Sequence, residues 1–212
     1  MAEKKTISPL SWENEQKYFP SVVCGVDEAG RGPLVGRVYA AAVILPYDER
    51  ENETILALND SKKLSEKKRF LLADEIKKLA VSYCVAYSTV QEIESINILE
   101  ASLLAMRRAI DGLSVKPDVA LIDGNISRDF QLEAHALIGG DGISPSIAAA
   151  SILAKNERDR WCCEVLDKEY PQYGFSKHKG YGTKAHYDAI SQYGPCPEHR
   201  MSFLKKFYEK QS

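Results

Sequence analysis

The sequence predicts an α/β layered fold, and three observations carry that prediction. Short β-rich runs alternate with longer helical ones. Clusters of Gly, Pro, Asn and Asp punctuate them. The apolar residues of the longest helical run step by three and four, which puts them on one face of a helix. Strands mixed with helices in this way form a sheet covered by helices.

The elements follow in chain order. Residues 22–26 (VVCGV) and 38–45 (VYAAAVIL) read as neighbouring strands joined through RGPLVG. Ser65 is the N-cap of a helix from Glu66 to about Ala80, with Phe70, Leu71, Ile76 and Leu79 on its apolar side. Residues 81–90 read as a strand. Ile96, Leu99, Leu103, Met106 and Ile110 mark the clearest helix, closed off by Gly112 and Pro117. Residues 118–122 (DVALI) form a buried strand running into Asp123, and 135–138 (HALI) a shorter one. Ser144 and Pro145 are a cap and first-turn pair for a helix ending near Trp161. Its small residues, Ala148, Ala149, Ala150, Ser151 and Ala154, let a neighbouring element come close. Loop residues rich in Gly, Tyr, Lys and His follow Pro171, and two short helical segments finish the chain. The expected organisation is an N-terminal extension over 1–20, a core over 21–170 and a C-terminal loop and helical segment over 171–212.

Composition removes several function classes. The 212 residues are 44% hydrophobic and 27% charged, an ordinary globular balance. No run of about 18 apolar residues marks a membrane span. Lys4 and Lys5 are not followed by the apolar stretch of a secretory signal. A cytoplasmic protein without a membrane partner is expected. Five cysteines, none in a CxxC pattern, point to reduced thiols rather than zinc or disulfides. The net charge of −2 argues against a protein that coats nucleic acid. It leaves room for a local basic track, and basic residues do cluster at 61–69, 106–108 and 177–184.

Four acids stand out. Asp27 and Glu28, in CGVDEAGRGPLVG, lie where the first strand is expected to end. Successive strand side chains face opposite ways, so adjacent acids serve one site only if the backbone leaves strand geometry there. Ala29-Gly30 permits that departure. Asp123 ends a strand before Gly124, and Asp141 sits between Gly140 and Gly142. Each alone is explained as a turn former. The Asp27-Glu28 pair is not, and strand ends are where active sites of α/β sheets collect. Should the four converge, their repulsion requires cations. Hard oxygen donors without supporting Cys or His point to Mg²⁺ or Mn²⁺. Two such ions about 4 Å apart are an apparatus for phosphodiester chemistry. The histidines at 135, 178, 186 and 199 show no metal-ligand spacing, and GRGPLVG matches neither a P-loop nor GxGxxG.

Five blocks, GVDEAGRGPLVG, LNDSKKLSEKKR, LIDGN, GGDGISPSIAAASILAKNERDR and YPQYGFSKHKGYGT, resemble bacterial ribonuclease HII, in that family's order. The resemblance runs from about residue 22 to HRMSF at 199–203. It implies a ribonuclease H-like fold, a mixed β-sheet flanked by helices with a small helical C-terminal part. It implies hydrolysis of the RNA strand of RNA–DNA hybrids. It also implies nicking 5′ to single ribonucleotides in duplex DNA, leaving 3′-hydroxyl and 5′-phosphate ends. Carried over by motif, Asp27, Glu28, Asp123 and Asp141 are the metal-binding catalytic set. Gly30, Arg31 and Gly32 lie against the ribonucleotide and its 2′-hydroxyl, Tyr181 packs at the ribose-to-DNA junction, and Lys62 and Lys63 contact phosphates. The 2′-hydroxyl is the one chemical mark of a ribonucleotide in DNA, and glycines let backbone groups come near enough to read it. Gly139-Gly140 precedes the fourth acid where the family pattern usually has Lys-Gly, which removes one expected cation. The C-terminal FLKKFYEKQS carries no sliding-clamp motif, and a monomer is expected. The alternatives are a ribonuclease HIII-like hybrid nuclease and a non-catalytic, metal-containing nucleic-acid binder. The HIII family carries an extra N-terminal domain where about twenty residues precede the first motif here, and the retained acids argue against the binder.

Overall fold

The computed structural model describes residues 10–59, 61 and 64–209. Five strands, β1 (Val23–Ala29), β2 (Val38–Ile44), β3 (Ser82–Ser88), β4 (Val119–Asp123) and β5 (Glu133–Leu137), form one sheet in the order β3-β2-β1-β4-β5. β1 pairs antiparallel with β2, and β2 with β3. β4 runs parallel to β1, and β5 to β4. The mixed sheet is therefore the one expected. The principal helices are α1 (Glu66–Leu79), α2 (Val90–Asp111), α3 (Pro145–Trp161), α4 (Lys184–Tyr193) and α5 (Met201–Glu209).

β2 explains the layering. All seven of its residues are buried, because both of its faces are covered. Ala41 and Val43 pack with Leu72 and Ile76 of α1 and with Ala148, Ala149 and Ile152 of α3. Ala40, Ala42 and Ile44 pack with Leu103, Met106 and Ala109 of α2. A strand buried twice reads as a continuous apolar run, as VYAAAVIL does.

Helix starts follow local chemistry. Ser65 Oγ accepts the Lys68 N–H at 3.3 Å, and Ser144 Oγ accepts the Ile147 N–H at 3.2 Å, with Pro145 in the first turn. α2 begins six residues before the apolar period at Ile96. Thr89 and Glu92 form a capping box, in which each side chain accepts the other's backbone N–H. The helix is interrupted at Asn97 (φ 67°), whose side chain recaps it by accepting the Leu99 and Glu100 N–H groups at 2.9 and 3.2 Å. The inward stripe of α1 also differs from the expected one. Arg69, Leu72, Ala73 and Ile76 are buried, while Leu71 is 62% exposed. Arg69 takes an inward place because it meets the buried Asp159 at 2.7 Å.

α3 lies against β1 with no side chain between them at Gly25. A Cβ there would fall 2.1 Å from the Ser146 carbonyl carbon. The close approach expected of the small-residue helix is thus made, with the glycine on the strand. Past Trp161 the helix widens into a π turn (Cys162–Leu166) and runs on to Glu169. A further core joins Leu34 and Val35 to Cys162, Leu166, Phe175, Ile190 and Leu204. The five cysteines are all free thiols. Among the described residues no helix is long and apolar enough to cross a membrane.

The Gly25 contact is testable. Gly25→Ala sets a methyl group against backbone, which does not move cheaply, and is expected to cost on the order of 3 kcal/mol of stability. Urea unfolding reads the cost, and an unchanged midpoint would contradict the contact.

Candidate active site

The acids gather at one end of the sheet, though not by the expected route. β1 keeps regular pairing through both of its acids, with Asp27 opposite Ala41, Glu28 opposite Ala40 and Ala29 opposite Tyr39. The departure from strand geometry expected at Asp27-Glu28 is absent, and the chain turns at Gly30 instead (φ 104°). β2 remains available as a partner, so β1 has no reason to bend early. On its other side the ladder ends at Val26 and Ile122, one residue before Asp27 and Asp123. The two acids therefore straddle the strand. Asp27 faces α3 and shares a cleft wall with Ser151, whose Oγ donates to Ser61 Oγ at 2.8 Å. Glu28 shares a pocket of about 30 Å³ with Leu99 and Met106 of α2, and with Arg31 and Asp123.

Asp123 closes β4, and its Oδ1 accepts the Gly140 N–H at 2.7 Å. Gly140 leaves room for Ile147, whose Cδ1 would lie 2.5 Å from a Cβ there. Asp141, the next residue, is buried in the turn Gly140–Gly142.

Crowded like charges show in the chemistry. Burial pushes the Asp27 carboxyl well above the usual carboxylate range, and the charges of Glu28 and Asp123 push it further. Arg31 Nη1 lies 3.4 Å from Glu28 Oε1. Among the described residues no three His, Cys, Asp or Glu side chains stand close enough to enclose an ion by themselves. The donor set nevertheless suits a hard divalent cation. Acids near enough to raise one another's proton affinity are near enough to share a cation instead.

A cleft of about 260 Å³ opens beside the acids. Asp27, Glu28, Gly30, Arg31, Gly32 and Tyr181 all contribute to its wall. One surface thus brings together two predicted acids, the whole GRG stretch and the predicted tyrosine. Asp123 joins through the smaller pocket. Asp141 lines neither, and Lys62 and Lys63 lie outside the described residues. Ser61, Ser151 and Lys155 also line the cleft and were not singled out for it from sequence. Lys155 supplies a cation from α3. It is held by Asp159 at 2.6 Å, and burial lowers its pKa against that carboxylate's pull.

Two buried arginines hold the cleft wall. Arg200 Nη2 donates to the Gly30 carbonyl at 2.7 Å, Nη1 to those of Arg31 and Pro33 at 2.9 Å each, and Nε to that of Gly36 at 2.9 Å. Arg158 packs beneath Gly30, where a Cβ would lie 2.3 Å from its Nε. Its Nη2 donates to the Lys179 carbonyl at 2.8 Å, and its guanidinium lies 5.8 Å from the centre of the Tyr181 ring. Tyr181 is 46% exposed, and its ring edge lies 3.7 Å from where a Gly32 Cβ would be. Both arginines sit in quoted blocks, AKNERDR and HRMSF, but no spacing connects them to the loop they hold.

The family profile described as Ribonuclease HII matches residues 24–206. Ribonuclease HII of Polaromonas sp. (strain JS666) is 51% identical over 196 residues, covering 92% of this chain and 94% of that protein. Ribonuclease HII of Shewanella pealeana is 55% identical over 203 residues, 96% of each. The solved ribonuclease H2 of Pyrococcus horikoshii OT3 has a TM-score of 0.72 at 26% identity, covering 89% of this chain and 97% of that one. The Bst ribonuclease HIII structure with Mn²⁺ has a TM-score of 0.58 at 18% identity, covering 82% of this chain and 63% of that one, which is a likeness of fold.

Arg200→Lys tests the clamp. One ammonium cannot span four carbonyls set around a planar fork. Each carbonyl left unpaired costs about 1–3 kcal/mol, so a clear fall in the urea midpoint is expected. A variant as stable as the parent would show that the carbonyls do not need the fork.

Proposed function

This chain belongs to the ribonuclease HII family and is a ribonuclease H enzyme, and we propose that it works on two substrates. It hydrolyses the RNA strand of RNA–DNA hybrids. It also nicks duplex DNA 5′ to a single embedded ribonucleotide, leaving 3′-hydroxyl and 5′-phosphate ends. The single observation that carries this reading is the shared cleft, in which Asp27 and Glu28 stand beside the GRG stretch and Tyr181. The acids alone fit many phosphodiesterases. Joined to a surface of small residues and one aromatic face, they fit a nuclease that looks for a hydroxyl.

Asp27, Glu28 and Asp123, with Asp141 adjoining, are the residues that would hold Mg²⁺ or Mn²⁺. Divalent cations in such a set supply charge stabilisation at the phosphate and ease the ionisation of water. The protein's own groups do the rest. The Gly140 N–H fixes one oxygen of Asp123, so that carboxylate keeps one orientation. The Glu28 N–H donates to Asp27 Oδ1 at 2.6 Å and holds that carboxyl against its own strand. Arg31 and Lys155 bring positive charge to a wall otherwise rich in acid, which a phosphate backbone requires. Tyr181 offers a flat face on which a sugar or base can rest. The Gly32 backbone, bare of a side chain, lets a ribose come close.

A duplex oligonucleotide carrying one ribonucleotide tests the reading. A nick on its 5′ side is expected with Mg²⁺ or Mn²⁺ and none with chelator. Asp27→Asn and Asp123→Asn are each expected to lower turnover on the order of a thousandfold or more while sparing binding. Near-parental rates would remove those acids from the chemistry. Tyr181→Ala is expected to depress nicking at a single ribonucleotide more than hydrolysis of an all-RNA strand, as rates on the two substrates will read. Equal losses would give Tyr181 a packing role instead.

A further inference from the structure

We propose that His186 and His199 are positioning residues, which hold the Tyr181 turn in place through a one-way chain of hydrogen bonds running from the Cys196 amide to the Tyr181 carbonyl. The proposal rests on the reading of Tyr181 given above.

The direction of the chain follows from donors and acceptors. The Cys196 N–H donates to His199 Nδ1 at 2.9 Å. That nitrogen is therefore an acceptor, and a neutral imidazole then carries its proton on Nε2. His199 Nε2 lies 3.1 Å from His186 Nε2, and one of the two must donate. His199 has the proton, so His186 Nε2 accepts. The His186 proton is then on Nδ1, 2.9 Å from the Tyr181 carbonyl oxygen, which takes a donor. The Cys196 carbonyl also lies 3.3 Å from His199 Nδ1, but it already accepts the His199 N–H at 2.9 Å and needs no second donor. The links therefore agree with one another, and a reversed link would set two lone pairs or two protons against each other.

The surroundings keep both rings neutral. Both are buried, at 0% and 2% exposed. His186 stacks on His178 (centroids 4.7 Å apart) and meets the edge of Phe175. Tyr173 and the Cys196 thiol flank His199. Among the described residues no carboxylate hydrogen-bonds to either ring. Burial pushes both imidazoles down to about 4.

The chain ends where position matters. Lys179 (φ 50°) and Gly180 (φ 78°) turn the backbone sharply before Tyr181. The Gly180 carbonyl accepts the Leu34 N–H at 2.9 Å, which ties this turn to the GRG loop. Arg200, one residue after His199, holds the carbonyls of that loop. Neighbouring residues thus fix the two halves of one surface: Arg200 the glycine loop, and His199 the tyrosine through His186.

Long-range ¹H–¹⁵N spectra of the unaltered protein at pH 7 read the chain directly. The expected result is His186 with its proton on Nδ1 and His199 with its proton on Nε2; any other pair of tautomers overturns the proposal. Rates on the two substrates read the consequence. His186→Phe should lower the ratio of single-ribonucleotide nicking to all-RNA hydrolysis about fivefold, roughly the worth of one neutral hydrogen bond. His186→Asn, whose amide N–H stands where Nδ1–H does, should restore most of it. Should His186→Phe fail to fold, His199→Leu and His199→Gln make the same comparison, with Gln supplying the Nε2–H. A ratio unmoved by Tyr181→Ala would defeat the reading of Tyr181 itself. A ratio moved by Tyr181→Ala but not by the folded histidine variants would defeat the positioning chain alone.

Discussion

The Arg200 guanidinium is the constraint on which the cleft depends. It is wholly buried and, among the described residues, has no carboxylate partner; four backbone carbonyls satisfy it instead. A buried cation is costly unless its donors are met. The carbonyls of Gly30, Arg31, Pro33 and Gly36 converge on one point only along a tightly curved path. The loop and the arginine therefore specify each other. The Arg200 N–H also donates to the Leu34 carbonyl, and the Gly36 N–H to that of Glu198, so the C-terminal strap and the loop form a pair. The last part of the chain builds the site as directly as β1 does.

The acid end works by an opposite logic. There the fold buries an acid and sets like charges beside it, and the Asp27 carboxyl is raised first by burial and then by Glu28 and Asp123. The sheet tolerates this because β1 keeps its antiparallel partner to Ala29 while β4 stops at Asp123. Strand pairing supplies the rigidity, and the end of the parallel ladder supplies the opening. Perturbed acids in a cleft mark a site shaped for a task beyond stability.

Legibility in the sequence followed the range of the interaction. The caps at Ser65 and Ser144 are written in a few residues and were readable. The strands and the helix-covered sheet followed from period and length. The start of α2 was missed because Thr89 and Glu92 sit ahead of the apolar period. The face of α1 was missed because its inward stripe contains Arg69, whose partner Asp159 is 90 residues away. Motifs singled out Asp27, Glu28 and Tyr181, which the fold brings to one cleft, whereas no motif pointed to the contacts of Arg158, Arg200, His186 and His199. Those four act on backbone carbonyls or on one another, and a carbonyl leaves no trace in a sequence.

The GRG stretch shows how internal and external demands divide within one motif. Gly30 is fixed by the fold. It has a positive φ, and its missing side chain makes room for Arg158. Gly32 is different. Its φ is not in the left-handed region, and a Cβ there would meet the Tyr181 ring at 3.7 Å, an ordinary contact. Among the described residues nothing asks for glycine at 32. If the fold does not require it, the reason lies on the open side of the cleft, with whatever comes to rest between Gly32 and Tyr181. On the function proposed above, a ribose whose 2′-hydroxyl must be approached closely would supply that reason, and a deoxyribose, lacking the hydroxyl, would supply none.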